Sequence, residues 1–325
     1  MKSNIYDAEV IYNFFLYCSN SKPQPMKILV FFSLLCVSFA SAQFHVDVLK
    51  FSYGNTVGTE YVDNVEADAI HNFKASITYP LKLSEDSALL LGLNANNTGV
   101  RLDPNYGTTA LNSVTVKLGY TAWHNNSWGS SVILLPKIAS TFEAIDGQDF
   151  YIGGIALANY KNRDDLIYRF GVYGSTEPFG TVITPIVGLY YLSPRNKFQA
   201  DIKLPIAADL TYMMDAFSLG FSYSATNTGF NLKEDTSINS IPVYVQNRSI
   251  EFGPYLRKGF LDDSLLIDLK VGYTNNNYQL YEQGDKSGLN LFTFDSDDRN
   301  RLLENRDFKG SLFAQIGATY RVYTD

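Results

Sequence analysis

The chain has 325 residues, and its 26 Lys and Arg stand against 33 Asp and Glu for a formal net charge of −7. That acidic balance excludes the clustered basic surface on which nucleic-acid binding depends. Only Cys18 and Cys36 carry thiols, so residues 43–325 have no disulfide or thiol chemistry.

Met26 and Lys27 precede an apolar run, Ile28 to Phe39, that ends in Ala40-Ser41-Ala42 before Gln43. A charged start, a greasy middle and an A-x-A end describe a secretory signal at 26–42 with cleavage after Ala42. The run is too short to span a bilayer, which takes roughly 20 residues. Residues 1–25 have no export character, and Met26 is the expected start, with 1–25 an upstream extension. The remaining 43–325 reads as one domain.

From there the chain alternates apolar and polar residues with period two, which places successive side chains on opposite faces of a strand. Ala69-His71-Phe73-Ala75-Ile77-Tyr79-Leu81-Leu83 interleaves with Asn72-Lys74-Ser76-Thr78-Pro80-Lys82. Similar stripes follow at Val114–Tyr120, Leu166–Val172, Phe198–Leu210, Phe217–Tyr223, Leu265–Tyr273 and Leu312–Val322. Candidate strands fall at 44–54, 67–83, 87–97, 111–123, 128–140, 149–160, 165–176, 181–193, 197–212, 215–227, 243–258, 262–278 and 308–323. Bacterial barrels have an even strand number. Merging two neighbours makes about 12, the preferred count, while splitting 197–212 at Pro205 makes 14.

A soluble sandwich also alternates, so other features must decide. Tyrosines gather near the stripe ends, at Tyr53, Tyr79, Tyr120, Tyr160, Tyr190, Tyr191, Tyr212, Tyr273 and Tyr320, as aromatic girdles do. Tight turns at Ser84-Glu85-Asp86-Ser87, His124-Asn125-Asn126-Ser127 and Lys161-Asn162-Arg163-Asp164 contrast with long loops at 55–66, 98–110, 141–149, 228–242 and 278–306. Short periplasmic turns and longer outer loops have that asymmetry. The expected fold is all-β, a single antiparallel transmembrane β-barrel in the outer membrane.

Charges interleaved at mid-strand become lumen candidates: Lys74, Lys117, Arg169, Asp201, Lys203, Asp268 and Lys270. Basic groups outnumber acidic ones among them. In an open barrel they would favour small anions; paired with one another they would plug a narrow one. Both readings stand. His45, His71 and His124 lack the Ser-rich surroundings of an activated nucleophile, so no catalytic residue is assigned. Asp295-Ser296-Asp297-Asp298 lacks the glycine and terminal glutamate of a calcium loop and reads as a solvated loop. No cofactor or metal is expected.

The signal ending Ala40-Ser41-Ala42-Gln43, the Tyr-rich strands with Lys203-Leu204-Pro205-Ile206 and the closing strand Ser311–Tyr323 resemble the uncharacterised outer-membrane β-barrel families of Bacteroidota. The ending Arg321-Val322-Tyr323-Thr324-Asp325 departs from barrels that close on an aromatic residue. The resemblance implies outer-membrane lipid and the barrel-assembly machinery as partners. It is compatible with a passive pore or transport channel for small solutes. Two other readings stay open: a structural or adhesive barrel acting through its outer loops, and a lipid-modifying enzyme.

Overall fold

The computed structural model describes residues 45–102, 104, 107–232, 242–286, 289–291 and 307–323. The expected signal at 26–42, the upstream 1–25 and the acidic run at Asp295 lie outside the described residues. The strands are β1 (His45–Val57), β2 (His71–Lys82), β3 (Ser87–Val100), β4 (Thr109–Trp123), β5 (Trp128–Ser140), β6 (Phe150–Arg163), β7 (Leu166–Glu177) and β8 (Gly180–Leu192). They continue as β9 (Phe198–Leu204), β10 (Ala207–Met213), β11 (Ser218–Leu232), β12 (Val243–Phe260), β13 (Leu265–Glu282), β14 (Leu289–Leu291) and β15 (Ser311–Tyr323).

All but the three-residue β14 form one ring. Each strand pairs antiparallel with its chain neighbour, β13 pairs with β15, and β15 pairs with β1 from His45↔Tyr323 to Val57↔Leu312. The 15-stranded sheet, less β14, is thus a closed barrel of 14 strands. β14 runs parallel to β8 at Thr181–Ile183.

The count is therefore 14, the alternative that splits 197–212 at Pro205, and not the preferred 12. The segment 197–212 is two strands folded at Pro205, which has no N–H to offer a ladder, and the Ile206 amide donates to the Lys203 carbonyl at 2.9 Å. Lys203 lies opposite Ala207, so the turn is centred on one residue and the even positions stay on one face through it. An unbroken stripe in the sequence therefore hid a reversal of the chain.

The wall is apolar outside. Val132, Val187, Leu269, Val271 and Leu312 are exposed by 53–63%, and the expected stripe residues Phe73, Leu118, Phe170, Leu219 and Ile316 are exposed with them. Contiguous apolar surface of this extent is stable only against another apolar phase. Tyr120, Tyr212 and Tyr320 face outward near the short-turn end, and Tyr53 and Tyr273 nearer the other. Tyr190 departs from the expected girdle: it sits beneath the Arg169 guanidinium, 5.7 Å from its ring centre, on the lumen side.

At the long-loop end the two-faced pattern breaks. β11, β12 and β13 reach 15, 18 and 18 residues, taking in parts of the expected loops 228–242 and 278–306. Their far ends are buried on both faces, at Phe230–Leu232, Val243–Gln246 and Tyr278–Tyr281. Asn231 pairs in parallel with Ser140 of β5 on the opposite side of the ring. These three strands therefore bend inward and roof the lumen. Phe230, Leu232, Val243, Val245, Tyr278 and Leu280 pack on one face of the roof against Tyr61, Ile70, Val100, Leu111 and Phe308. Each fully buried apolar side chain here contributes roughly 1.5–3 kcal/mol.

Lower in the lumen, Tyr255 lies over Gly220, its cross-strand partner, in space that any Cβ would take. The Tyr255 hydroxyl meets Thr211 Oγ1 at 2.6 Å and donates to Asp209 Oδ1 at 3.0 Å. Gly220→Val should evict the ring and destabilise the barrel by about 1–3 kcal/mol. The check is the urea midpoint at which the folded, faster-migrating gel band is lost, with Tyr255→Phe expected to shift it less.

Candidate functional site in the charged lumen

Period-two alternation carries the interior polar groups inward. Arg169 on β7 and Lys203 on β9 both lie opposite Gly188 of β8. The missing side chain between them lets β7 and β9 meet above β8, where Arg169 bonds Asp201 Oδ1 and Lys203 Nζ donates to both Asp201 oxygens at 2.8 and 2.7 Å. Two cations thus share one carboxylate. Asp209, opposite Asp201, accepts from Thr211 Oγ1 at 2.8 Å.

A second group joins strands that are not neighbours. Lys74 of β2 and Glu251 of β12 form a 3.1 Å ion pair, although β1, β15 and β13 separate them in the ring. In a round barrel of this strand number, about 28 Å across from strand spacing and tilt, strands four places apart stand about 22 Å from each other, too far for these side chains to meet. The pair therefore requires the inward bend of β11–β13. Lys270 is 9% exposed, with its ammonium 5.0 Å from the centre of the Phe313 ring. Next to it, Arg257 donates to Asp268 at 2.5 Å and lies over Tyr255.

Lys117 donates to Ser76 Oγ at 3.3 Å and Thr78 Oγ1 at 3.2 Å. Among the described residues, no carboxylate lies within ion-pair distance of Lys117 or Lys270. Near the short-turn end, Asp47 pairs with Lys50 at 2.8 Å and Arg321 at 3.0 Å. Beneath the roof, Lys137 bonds Glu177 at 2.6 Å; the Glu177 side chain is fully buried and also accepts from Ser175 Oγ and the Gly229 amide.

All seven sequence-assigned charges lie on the inward register. Arg169, Asp201 and Lys203 form one cluster, and Asp268 joins Arg257. Lys74 joins Glu251, while Lys117 and Lys270 keep to hydroxyl and aromatic partners. Glu251, Asp209, Glu177, Lys137 and Arg257 were missed. Their signal was present: Glu251 and Arg257 interleave with Ile250-Phe252-Pro254-Leu256, a stripe weakened by its proline and by Gly253. The lumen is accordingly a paired network with a cationic surplus, in a setting of reduced dielectric where such charges act strongly on a small ion.

Among the described residues no group of three or more His, Cys, Asp or Glu could hold a metal. His124 Nε2 lies 2.8 Å from Ser130 Oγ at an exposed turn, and His71 Nδ1 lies 2.6 Å from Asn55 Oδ1.

Residues 103–321 match the model of a family described as a domain of unknown function, DUF6268. No curated protein matches the chain. Solved structures similar to it include an outer-membrane channel from Pseudomonas putida F1, at 10% identity and TM-score 0.38 over 88% of this chain and 100% of that one. A bacterial polysaccharide outer-membrane secretin matches at 9% identity and TM-score 0.35 over 86% and 99% of the two chains. A deletion mutant of the TodX monoaromatic hydrocarbon channel matches at 12% identity and TM-score 0.33 over 90% and 94%.

Removing the Glu177 charge would leave the buried Lys137 ammonium without its counter-ion. Glu177→Gln should destabilise the folded barrel by about 3–5 kcal/mol, read from the same urea titration.

Proposed function

The chain belongs to the DUF6268 family, and for this member we propose an integral outer-membrane protein of a Gram-negative bacterium that works as a transport channel for small solutes, anions preferred. The observation that carries the reading is the reversal of polarity across the wall. Exposed Val187 and Leu312 look outward, while Lys117, Lys203 and Lys270 look into the centre. A closed ring suits hydrocarbon because it pairs its backbone groups within itself. The surplus of lumen cations supports anion preference. The expected secretory signal supports the location, with lipid and the assembly machinery as partners. No catalytic step enters this reading.

The roof of β11–β13 makes the resting state closed along the barrel axis. It also favours a second reading, a barrel that binds a partner through its outer loops without conducting. Planar-bilayer recordings separate the two. Wild type should conduct little, and Phe230→Asp with Val245→Asp, kept only if the folded gel band persists, should open a pore that prefers anions. Adding Lys117→Glu and Lys270→Glu should reverse that preference. Silence from the opened variant would favour the partner-binding barrel, and cation preference before the lysines are changed would refute anion transport.

A further inference from the structure

Two places in the lumen share one device. At Gly188 the missing side chain lets Arg169 and Lys203 meet over β8, with Asp201 between them. Gly92 of β3 repeats the arrangement between its cross-strand partners, Thr78 of β2 and Lys117 of β4. A Cβ at Gly92 would fall 2.5 Å from the Ile77 carbonyl oxygen and 3.3 Å from the Lys117 chain. Glycine there lets the lysine lie over β3 and reach the Ser76 and Thr78 hydroxyls. The first saddle sets cations on a carboxylate, and the second sets a cation on neutral oxygens.

The hydrogen bonds around Lys117 leave donors at the lumen surface. Ser76 Oγ donates to Asn94 Oδ1 at 2.7 Å, which leaves the Asn94 amide N–H groups to donate in turn. Thr78 Oγ1 accepts from Lys117 and keeps its own hydrogen, while the ammonium spends two of its three hydrogens on the hydroxyls. Ammonium, hydroxyl and amide donors with no acceptor among the described residues thus collect at one spot. An oxygen-rich anion uses all three kinds.

Further cations converge on the same spot. Lys50 of β1 lies opposite Ser76, and its charge acts on Lys117. The same charge acts on Lys203 of β9, a strand that five others separate from β1 on one side of the ring and seven on the other. Lys50 therefore neighbours cations on both walls. The carboxylates here are shared, Asp47 between Lys50 and Arg321 and Asp201 between Lys203 and Arg169. Asp209, opposite Asp201, is engaged by Thr211 and Tyr255. Like charges gathered in this way repel, and an anion among them turns the repulsion into attraction. The Lys50 side chain is 54% exposed and that of Lys203 38%, so a solute in the lumen reaches both.

We propose that Lys117 with Thr78 and Asn94, faced by Lys50 and Lys203, forms a binding site for the phosphate dianion, free or carried on a small solute. The site rests on the anion-preferring reading above and gives that lumen a substrate class. Oxygens of the phosphate accept from the Lys117 ammonium, the Thr78 hydroxyl and the Asn94 amide, and Lys50 and Lys203 balance its second charge.

The test titrates the full chain, folded in detergent micelles, by calorimetry at constant ionic strength and above the second ionisation of phosphate. Inorganic phosphate, glycerol phosphate, succinate and chloride are compared. Both phosphates should bind more tightly than succinate and chloride; the tighter of the two tells whether the site takes the free ion or a phosphate borne on a solute. Lys117→Gln and Lys50→Gln should each weaken phosphate about tenfold, the loss of one charge-assisted contact, and Thr78→Val a few-fold. Lys309→Gln, which removes the partner of Glu60 at the long-loop end, should leave the affinity unchanged. The folded, faster-migrating gel band qualifies each variant, and Thr78→Val, which removes a single hydroxyl, carries the test if the lysine variants do not fold. Absence of phosphate binding, or binding that the qualified variants leave unchanged, overturns the site. Tighter binding of succinate overturns phosphate as the ligand. Chloride binding as well as phosphate means a diffuse surplus of cations and overturns the site alone, whereas cation preference in the bilayer recordings overturns the reading beneath it.

Discussion

The constraint on which the rest of this structure depends is ring closure. Pairing β15 with β1 converts a long sheet with two exposed edges into a wall whose backbone donors and acceptors are used up in neighbouring strands. Once the ladder is closed, a wall residue has two directions to face. Apolar side chains on one register and ionised ones on the other then become a property of the whole surface rather than of single strands. A surface so built, greasy outside and charged within, is the reverse of a soluble globule.

Closure also governs how the interior charges are accommodated. Side chains crowded inward from 14 strands must find partners, because an unpaired charge out of water costs several kcal/mol. Glycine at 188 opens the space in which Arg169, Asp201 and Lys203 meet, and glycine at 220 opens the niche for Tyr255. The roof follows from the same geometry on a larger scale. Three strands longer than the wall needs bend in, bury apolar residues against the far side, and bring Lys74 within reach of Glu251.

The proposed function joins two features that point in different directions. A cation-rich lumen suits the passage or capture of anions, while a roofed mouth blocks straight transit along the axis.

The sequence by itself determined the class of fold, the two-faced strands and the inward position of Lys74, Lys117, Arg169, Asp201, Lys203, Asp268 and Lys270, because period-two alternation is local and each strand declares its own faces. It left the strand number open, since the turn centred on Pro205 conserves parity and a stripe read straight through it looks continuous. The apolar residues Phe230, Leu232, Val243, Val245, Tyr278 and Leu280 stand on the inward register, a reversal visible in the chain yet meaningless until a roof is known. Only the tertiary structure decided which charges pair, that three strands cross the mouth, and that the β9–β10 hairpin stops short of its neighbours. Each of these depends on contacts between segments far apart in the chain, and alternation along a single strand carries no information about which strand lies across the lumen.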